Sequence, residues 1–231
     1  MDSSDLGFFR QIGPAIEVAL AACVIACAGS SAFADAGATT IAIDCMMPGA
    51  PPAGFTFAMT GGGAKAEWNV VGDPTASHGR AIEQSSADRT DRRFPLAIPD
   101  SFSAADLDAE LRFKAVGGRT DQTGGIAVRL EDADNYYVAR ADARENNVRF
   151  YRVVNGRREQ LGGADLNVTA GEWHTLAVHA EGERFTVSYD DKPLFSVADK
   201  TFDEAGGVAL WTKGDSVTRF DQVKVTTLPR D

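Results

Sequence analysis

The chain has 231 residues, of which 44% are hydrophobic and 9% aromatic, and it contains 23 glycines. This composition is typical of a globular protein, and the length suits one β-sandwich better than two domains. The formal net charge is -10 at pH 7. Nucleic acid and anionic membranes need a basic face to bind, so the acidic balance argues against both as partners.

The beginning of the chain has the pattern of a secretory signal. Residues 18–28 read VALAACVIACA, a run too short to span a bilayer, and Ala32-Phe33-Ala34 resembles a cleavage site. We therefore expect residues 1–34 to be a signal peptide and the mature protein to be periplasmic or secreted. Cys23 and Cys27 each end a lipobox-like sequence, so the alternative is a lipoprotein held on a membrane by a lipid on one of them.

Residues 35–65 are predicted to precede the main domain. They hold one short predicted strand, Thr39 to Cys45, followed by a stretch rich in proline and glycine over residues 48–64. Because proline and glycine interrupt regular structure, this stretch is predicted to be a loop or linker. The remaining residues, 66–231, are predicted to form the folded domain.

Short β-type runs recur from residue 66 onward. They cover residues 66–71, 80–84, 107–116, 173–181, 184–190, 193–197, 207–212 and 217–228, with four more between residues 124 and 163. Their lengths and the polar turns between them predict a β-sandwich. Nowhere do apolar residues recur at helical spacing for three turns without glycine or proline. The predicted fold class is therefore all-β, with two antiparallel sheets.

The dipeptide Asn155-Gly156 is the strongest hairpin signal in the chain, because a type I′ turn needs positive φ at both central residues. A two-residue turn there places Phe150 opposite Leu161. If Asp142 to Asn147 forms a turn of two or four residues, Arg140 lies opposite Arg149, and a further turn at Asp132 to Asn135 adds one more strand. The sequence thus predicts a four-stranded antiparallel meander.

This register divides the meander into an apolar face and a polar face. The residues predicted on the polar face are Arg129, Tyr136, Arg140, Asp142, Arg149 and Tyr151. Two arginines opposed on one face repel each other unless an anion lies between them. Either the carboxylates of Asp142 and Glu131 or a ligand could supply that charge. We therefore predict that these six residues bind a glycan or a carboxylate-bearing molecule.

Four motifs follow one another in an order known from other proteins. They are Gly125-Ile126-Ala127-Val128-Arg129, Asp134-Asn135-Tyr136-Tyr137, Glu172-Trp173-His174-Thr175-Leu176 and Gly206-Gly207-Val208-Ala209-Leu210-Trp211-Thr212. Over about residues 66–227 the chain resembles the concanavalin A-like lectin/glucanase superfamily. Within it, the chain is similar to laminin-G-like and 3-keto-disaccharide-hydrolase-like domains of secreted bacterial proteins. The resemblance implies a jelly-roll sandwich and a carbohydrate or other small ligand.

The hydrolase-type members of that superfamily carry acids that this chain lacks. They have Asn-Ser-Gly before the strand that ends in arginine and Glu-x-Gln on the strand after it. Here the corresponding stretches read Gln122-Thr123-Gly124-Gly125 and Tyr136-Tyr137-Val138-Ala139. The difference argues against hydrolysis of a 3-keto-glycoside.

Asp106, Asp108 and Glu110 alternate along one predicted strand, much as carboxylates do in jelly-roll glucanases. Two carboxylates that bracket a glycosidic bond are the usual machinery of glycoside hydrolysis. Arg112 and Lys114 continue the same face, as is typical of a solvated strand whose charges alternate. A glycoside hydrolase acting on a 3-keto-disaccharide or a β-glucan is therefore the alternative function.

The turn that contains Asp132, Asp134 and Asn135 offers oxygen ligands of the kind that calcium prefers. These residue types also form turns without any metal. The sequence predicts no cofactor other than a structural calcium ion at this turn. The leading hypothesis is a non-catalytic carbohydrate-binding domain, and a third hypothesis is a structural domain that packs against a partner; no oligomeric state is predicted.

Overall fold

The computed structural model describes residues 37–100 and 102–229. Within these residues, fifteen strands form two antiparallel sheets, and Ile43–Cys45 form one short 3-10 helix. The all-β, two-sheet prediction is confirmed. The eight-stranded sheet contains, in spatial order, β13 (Lys192–Ala198), β12 (Arg184–Tyr189), β11 (His174–Glu181), β6 (Leu107–Gly117), β15 (Val217–Thr227), β4 (Arg80–Gln84) and β3 (Trp68–Gly72), with β1 (Ala38–Thr40) paired to β15. The seven-stranded sheet contains β10 (Arg157–Asp165), β9 (Asn147–Val154), β8 (Asn135–Asp142), β7 (Thr123–Asp132), β14 (Gly207–Trp211), β5 (Arg93–Pro99) and β2 (Phe55–Gly61).

The predicted signal peptide and its two candidate lipidation sites, Cys23 and Cys27, lie outside the described residues. In the part of the chain that the structure describes, no helix has the length and apolar character needed to cross a bilayer.

The core lies between the sheets and follows the alternation in the sequence. Along β6, the side chains of Leu107, Leu111 and Phe113 are fully buried, whereas Asp108 and Glu110 between them are exposed. Successive side chains of a strand point to opposite faces, so one face of β6 packs inward and the other meets water. Full burial of each such leucine or phenylalanine stabilises the fold by about 1.5–3 kcal/mol.

Two adjacent glycines at the start of β7 allow close packing on both faces of the seven-stranded sheet. A side chain at Gly124 would overlap the ring of Phe113 in the opposite sheet. A Cβ at Gly125 would lie 2.7 Å from the carbonyl oxygen of Ala139 and 3.1 Å from the ring of Trp211 on the other face. The glycines therefore bring the sheets together and leave room for Trp211 on the outer face.

Two strands occur where none was predicted. The segment predicted as a linker contains β2, which pairs with β5 over seven residues, so the linker prediction is wrong there. β5 itself contains Pro95 and Pro99, which disfavour a strand because proline has no N–H to donate. The carbonyl of Pro95 accepts from Thr212 at 3.1 Å, so the missing N–H of Pro95 faces β14. Only two residue pairs join β5 to β14, and few ladder bonds are lost.

The meander has the predicted turns but also two bulges. Asn155 and Gly156 have φ of 48° and 71°, as a type I′ turn requires, and Arg140 pairs with Arg149 as predicted. A bulge at Leu161 places Gly162, rather than Leu161, opposite Phe150. A second bulge between Val128 and Asp132 contains Arg129 at a φ of 47°. Since this bulge interrupts the alternation of side chains along β7, Arg129 leaves the predicted polar face.

Candidate functional site

The outer face of the seven-stranded sheet carries an aromatic cluster, Phe94, Tyr136 and Trp211, that is separate from the core between the sheets. The ring centroids of Phe94 and Trp211 lie 5.2 Å apart in a stacked arrangement. The hydroxyl of Tyr136 accepts from Trp211 Nε1 at 3.1 Å and lies 2.7 Å from the hydroxyl of Thr60. Both polar ends are satisfied, so the cluster forms a fixed platform beneath the surface. Burial raises the pKa of the Tyr136 phenol and keeps it neutral.

Arg140 is the centre of a polar network on this outer face. Its guanidinium is only 3% exposed. Nη2 donates to Glu145 Oε2 at 2.7 Å and to the Tyr151 hydroxyl at 3.2 Å, and Nη1 donates to the side chain of Asn147. Among the described residues, the buried Nε of Arg140 has no hydrogen-bond partner. One strong donor of a buried cation is thus unused, which is uncommon in native proteins.

Lys213 joins the network from the loop after β14. Its Nζ lies 2.6 Å from Asp121 Oδ1 and 3.1 Å from Glu145 Oε1. Burial opposes ionisation of Glu145, but the charge of Arg140 and the bonds from Arg140 and Lys213 outweigh it and lower its pKa to about 2. Burial dominates at Asp121, whose pKa is raised in spite of Lys213. We call Asp121, Arg140, Asp142, Glu145, Asn147, Tyr151 and Lys213 the Arg140 network.

Three carboxylates of the network could hold a metal ion by distance alone. The ligand oxygens of Asp121, Asp142 and Glu145 all lie within 4.8 Å of one another. The ammonium of Lys213 already lies between two of them, and Asp142 accepts from the Thr123 hydroxyl at 2.6 Å. The existing partners therefore supply the positive charge that an ion would bring.

The turn predicted to bind calcium has a different role in the structure. Asp132 accepts from the backbone N–H of Asp134 at 2.7 Å and from the side-chain amide of Asn135 at 2.9 Å. These bonds make the turn itself. Within the described residues, the group of carboxylates spaced for an ion is instead that of the Arg140 network.

Tyr151 lies between two guanidinium groups. Its ring centroid is 5.8 Å from the guanidinium carbon of Arg140 and 4.6 Å from that of Arg158. Arg158 also lies 4.4 Å from the ring centroid of Phe94 and 5.8 Å from that of Trp211. The second arginine therefore connects the Arg140 network to the aromatic cluster.

The structure brings together only part of the predicted ligand-binding set. Arg140, Asp142 and Tyr151 meet in the network, and Tyr136 lies in the aromatic cluster against which Tyr151 packs. Arg149 turns away and pairs with the exposed Asp165 at 2.5 Å. Arg140 is thus neutralised by Glu145 and, at 3.9 Å, by Asp142, and Arg149 is neutralised by Asp165. Of the two carboxylates considered from the sequence, Asp142 lies beside the arginines, whereas Glu145 and Asp165 were not foreseen.

Arg129 lies apart from the network. Its side chain is 1% exposed and donates to the carbonyls of Ala105 at 2.7 Å and Gly182 at 2.6 Å, and it pairs with Asp106 at 3.1 Å. Its guanidinium lies 4.9 Å from the ring centroid of Phe185. These contacts join the loops at one end of the sandwich.

The three carboxylates of the hydrolase alternative do not share one environment. Asp106 is buried against Arg129, whereas Asp108 is exposed and bonds to His179 Nδ1 at 2.7 Å. Glu110 is exposed on the outer face of the eight-stranded sheet. The strand alternation was predicted correctly, but it puts Asp108 and Glu110 on the sheet opposite to the Arg140 network.

Five residues of the site were missed by the sequence analysis: Asp121, Glu145, Asn147, Arg158 and Lys213. Asp121 and Lys213 lie in loops far from the meander, and no local pattern links them to it. Arg158 could have been found, because the Asn155-Gly156 turn places it opposite Val153, on the face that carries Tyr151.

No protein-family profile matches the sequence. A levanase from Bacillus subtilis (strain 168) is 28% identical over 128 residues, which are 54% of this chain and 18% of the levanase. The chain thus matches less than a fifth of that longer protein.

Two solved structures resemble the sandwich along nearly their whole length. The carbohydrate binding module CBM66 from Bacillus subtilis superposes with a TM-score of 0.59 at 23% identity, covering 78% of this chain and 99% of that one. A Bacillus licheniformis β-glucanase gives 0.55 at 11% identity, covering 83% and 99%. These similarities confirm the fold that the motifs implied, an antiparallel jelly-roll sandwich.

Proposed function

We propose that this protein is a carbohydrate-binding domain that holds a glycan on the outer face of the seven-stranded sheet. The observation that carries the proposal is the Arg140 network. The side chain of Arg140, only 3% exposed, donates to Glu145, Asn147 and Tyr151 and holds these more exposed groups in fixed positions. Preorganised groups of this kind favour ligand binding because little side-chain entropy is lost.

The chemistry of the network suits the hydroxyl groups of a sugar. Each hydroxyl both donates and accepts a hydrogen bond. Glu145 is a 42% exposed acceptor, and Lys213 is a 22% exposed donor 3.1 Å from it. Two vicinal hydroxyls could therefore bind side by side, one to each group, while the half-buried ring of Tyr151 packs against the apolar face of the sugar.

The proteins that resemble this chain support a glycan as the ligand. One is named a carbohydrate binding module and another a levanase. Levan is therefore the first polysaccharide to test, followed by other fructans and β-glucans. We further infer export to the periplasm or the medium, on the strength of the signal pattern in residues 1–34. The proposal assigns no role to calcium, since Lys213 already bridges Asp121 and Glu145.

The test is a glycan array of the purified protein, followed by calorimetric titration with the best ligand. We expect specific binding that weakens at least about tenfold in Arg140→Met, because a charge-assisted hydrogen bond contributes roughly 1.5–3 kcal/mol. Arg149→Met is the matched control. It removes an arginine from the neighbouring strand, paired only with the exposed Asp165, and should leave the affinity unchanged within a factor of two to three.

Two results would contradict the proposal. Absence of binding to every glycan on the array, with the protein folded, would leave a structural domain as the remaining hypothesis. Release of shortened sugars from levan or β-glucan would instead favour the glycoside hydrolase.

A further inference from the structure

The arginine that the sequence analysis missed, Arg158, differs from the other arginines around it. Arg140, Arg149 and Arg152 each pair with at least one carboxylate at 2.5–2.8 Å. Arg158 forms no ion pair and donates no hydrogen bond within the described residues, and its Nη1 is buried without a partner. A guanidinium N–H that is removed from water normally has an acceptor beside it.

Aromatic rings hold this guanidinium in place without neutralising it. Its carbon lies 4.4 Å from the ring centroid of Phe94 and 4.6 Å from that of Tyr151. A planar guanidinium over aromatic faces gains cation–π attraction while its N–H groups, which lie in its plane, stay available. The arrangement therefore fixes the orientation of Arg158 and leaves its hydrogen-bonding edge unsatisfied.

The carboxylates near Arg158 are already in use. Glu145 acts on Arg158 only through space, since it is bonded to Arg140 and Lys213. Glu159, the next residue along the strand, pairs with Arg152 at 2.5 Å. An anion for Arg158 thus has to come from outside the described residues.

Space for such an anion is present beside the hairpin of β9 and β10. A cavity of about 940 Å³ there is lined in part by Arg152, Arg157, Arg158 and Glu159. Arg152 is neutralised by Glu159 and Asp199, so Arg157 and Arg158 give this cavity a local excess of positive charge, although the whole chain carries a net charge of -10. The local charge favours one anionic group, while the overall charge disfavours a densely charged polyanion.

We propose that Arg158 forms a subsite for the carboxylate of an acidic sugar, next to the neutral-sugar contacts of the Arg140 network. A carboxylate matches the guanidinium fork because two parallel N–H···O bonds can form. This inference rests on the proposed glycan-binding function and specifies its ligand class. The preferred ligand is a glycan that presents a single uronic acid residue.

The test compares two oligosaccharides that differ in one group. One ends in a glucuronic acid residue, and the other is the same molecule with that carboxyl reduced to the alcohol. We expect the acidic form to bind about tenfold or more tightly, with a preference that decreases at high salt because screening weakens ion pairs.

Three variants test whether Arg158 causes the preference for the acidic oligosaccharide. Arg158→Gln should abolish it while changing the affinity for the reduced oligosaccharide by less than about threefold, and Arg158→Lys should retain only part of it, because the ammonium lacks the planar fork. Arg149→Gln is the control, since Arg149 lies outside this cavity and pairs with Asp165.

Equal binding of the two oligosaccharides by the unaltered protein would overturn the inference and leave the proposed function intact. Binding of neither, together with an empty glycan array, would refute the proposed function itself. An Arg158→Gln variant whose affinity falls equally for the two oligosaccharides, while its melting temperature equals that of the unaltered protein, would show that Arg158 only positions the rings of Phe94 and Tyr151. If Arg158→Gln does not fold, the acid preference of the unaltered protein and its salt dependence decide.

Discussion

The outer faces of the two sheets differ in how their cations are neutralised. On the eight-stranded sheet, Lys114 pairs with Asp73 at 2.5 Å and Arg219 with Glu83 at 2.6 Å. On the seven-stranded sheet, Arg140 keeps an unused donor, and Arg158 has no ion pair among the described residues. These cations of the first face are neutralised by the carboxylates beside them, whereas the two arginines of the second face keep donors without an acceptor.

The difference shows why alternating charges are a poor guide to a site. Asp108, Glu110, Arg112 and Lys114 form the more conspicuous pattern in the sequence, yet Arg112 and Lys114 are neutralised by the acids beside them. The outer face of the seven-stranded sheet buries aromatic rings and arginines together, which costs desolvation energy without full compensation. Such a cost is more informative than the number of charges.

The largest expected loss in the free energy of unfolding comes from breaking the Arg140 network. Arg140→Met leaves Glu145, Asn147 and Tyr151 without their shared donor. Removing one partner of a buried ion pair costs about 3–5 kcal/mol of stability. Glu145 is 42% exposed and can regain water, so we expect Arg140→Met to lose roughly 2 kcal/mol in the free energy of unfolding, measured in urea. Arg149→Met should lie within about 0.5 kcal/mol of the parent. Equal losses in the two variants would show that the two arginines are equivalent.

Crowding the junction of the sheets should have a comparable but slightly smaller effect. Gly124→Ala places a methyl group against the ring of Phe113, and overpacking of this kind costs about 1–3 kcal/mol. Gly72→Ala is the control, because a Cβ there meets nothing within 4 Å. Thermal melting of both variants checks the prediction, and an unchanged Gly124→Ala protein would contradict the described packing.

The charge balance of the network can be measured by its response to pH. The folded-state pKa of Glu145 is about 2, below its ordinary value of 4.5. Ionised Glu145 therefore stabilises the fold above about pH 4.5, and this contribution is lost as the pH falls toward 2. In Lys213→Met the pKa of Glu145 should rise toward 4.5, as followed by NMR of its carboxyl carbon. Lys200→Met, which changes an exposed lysine, should leave that pKa unaltered.

The smallest effects are expected on the other outer face. Asp108→Asn and Glu110→Gln change exposed carboxylates, so stability should stay within about 0.5 kcal/mol and glycan affinity should not change. We expect no release of sugars from β-glucan or a 3-keto-disaccharide by the unaltered protein. Hydrolysis that disappears in Asp108→Asn would reverse the functional assignment of the two faces.

Prediction from the sequence succeeded where the physical cause was local. The Asn155-Gly156 turn between β9 and β10 was predicted correctly, because only a few residues tolerate positive φ at both turn positions. It failed for β5, whose prolines resemble a strand breaker until the position of β14 is known. It also failed for Arg129, since the bulge between Val128 and Asp132 interrupts the alternation from which its side was predicted.

By itself, the sequence determined the all-β class, the alternation that builds the core and most of the strands, because these follow from backbone sterics and a period of two residues. Only the tertiary structure decided the candidate site. Lys213 meets Glu145 across 68 residues of sequence, and Arg158 reaches Phe94 from a strand that is not its neighbour. Such contacts depend on strand order and bulges, and no local pattern encodes them.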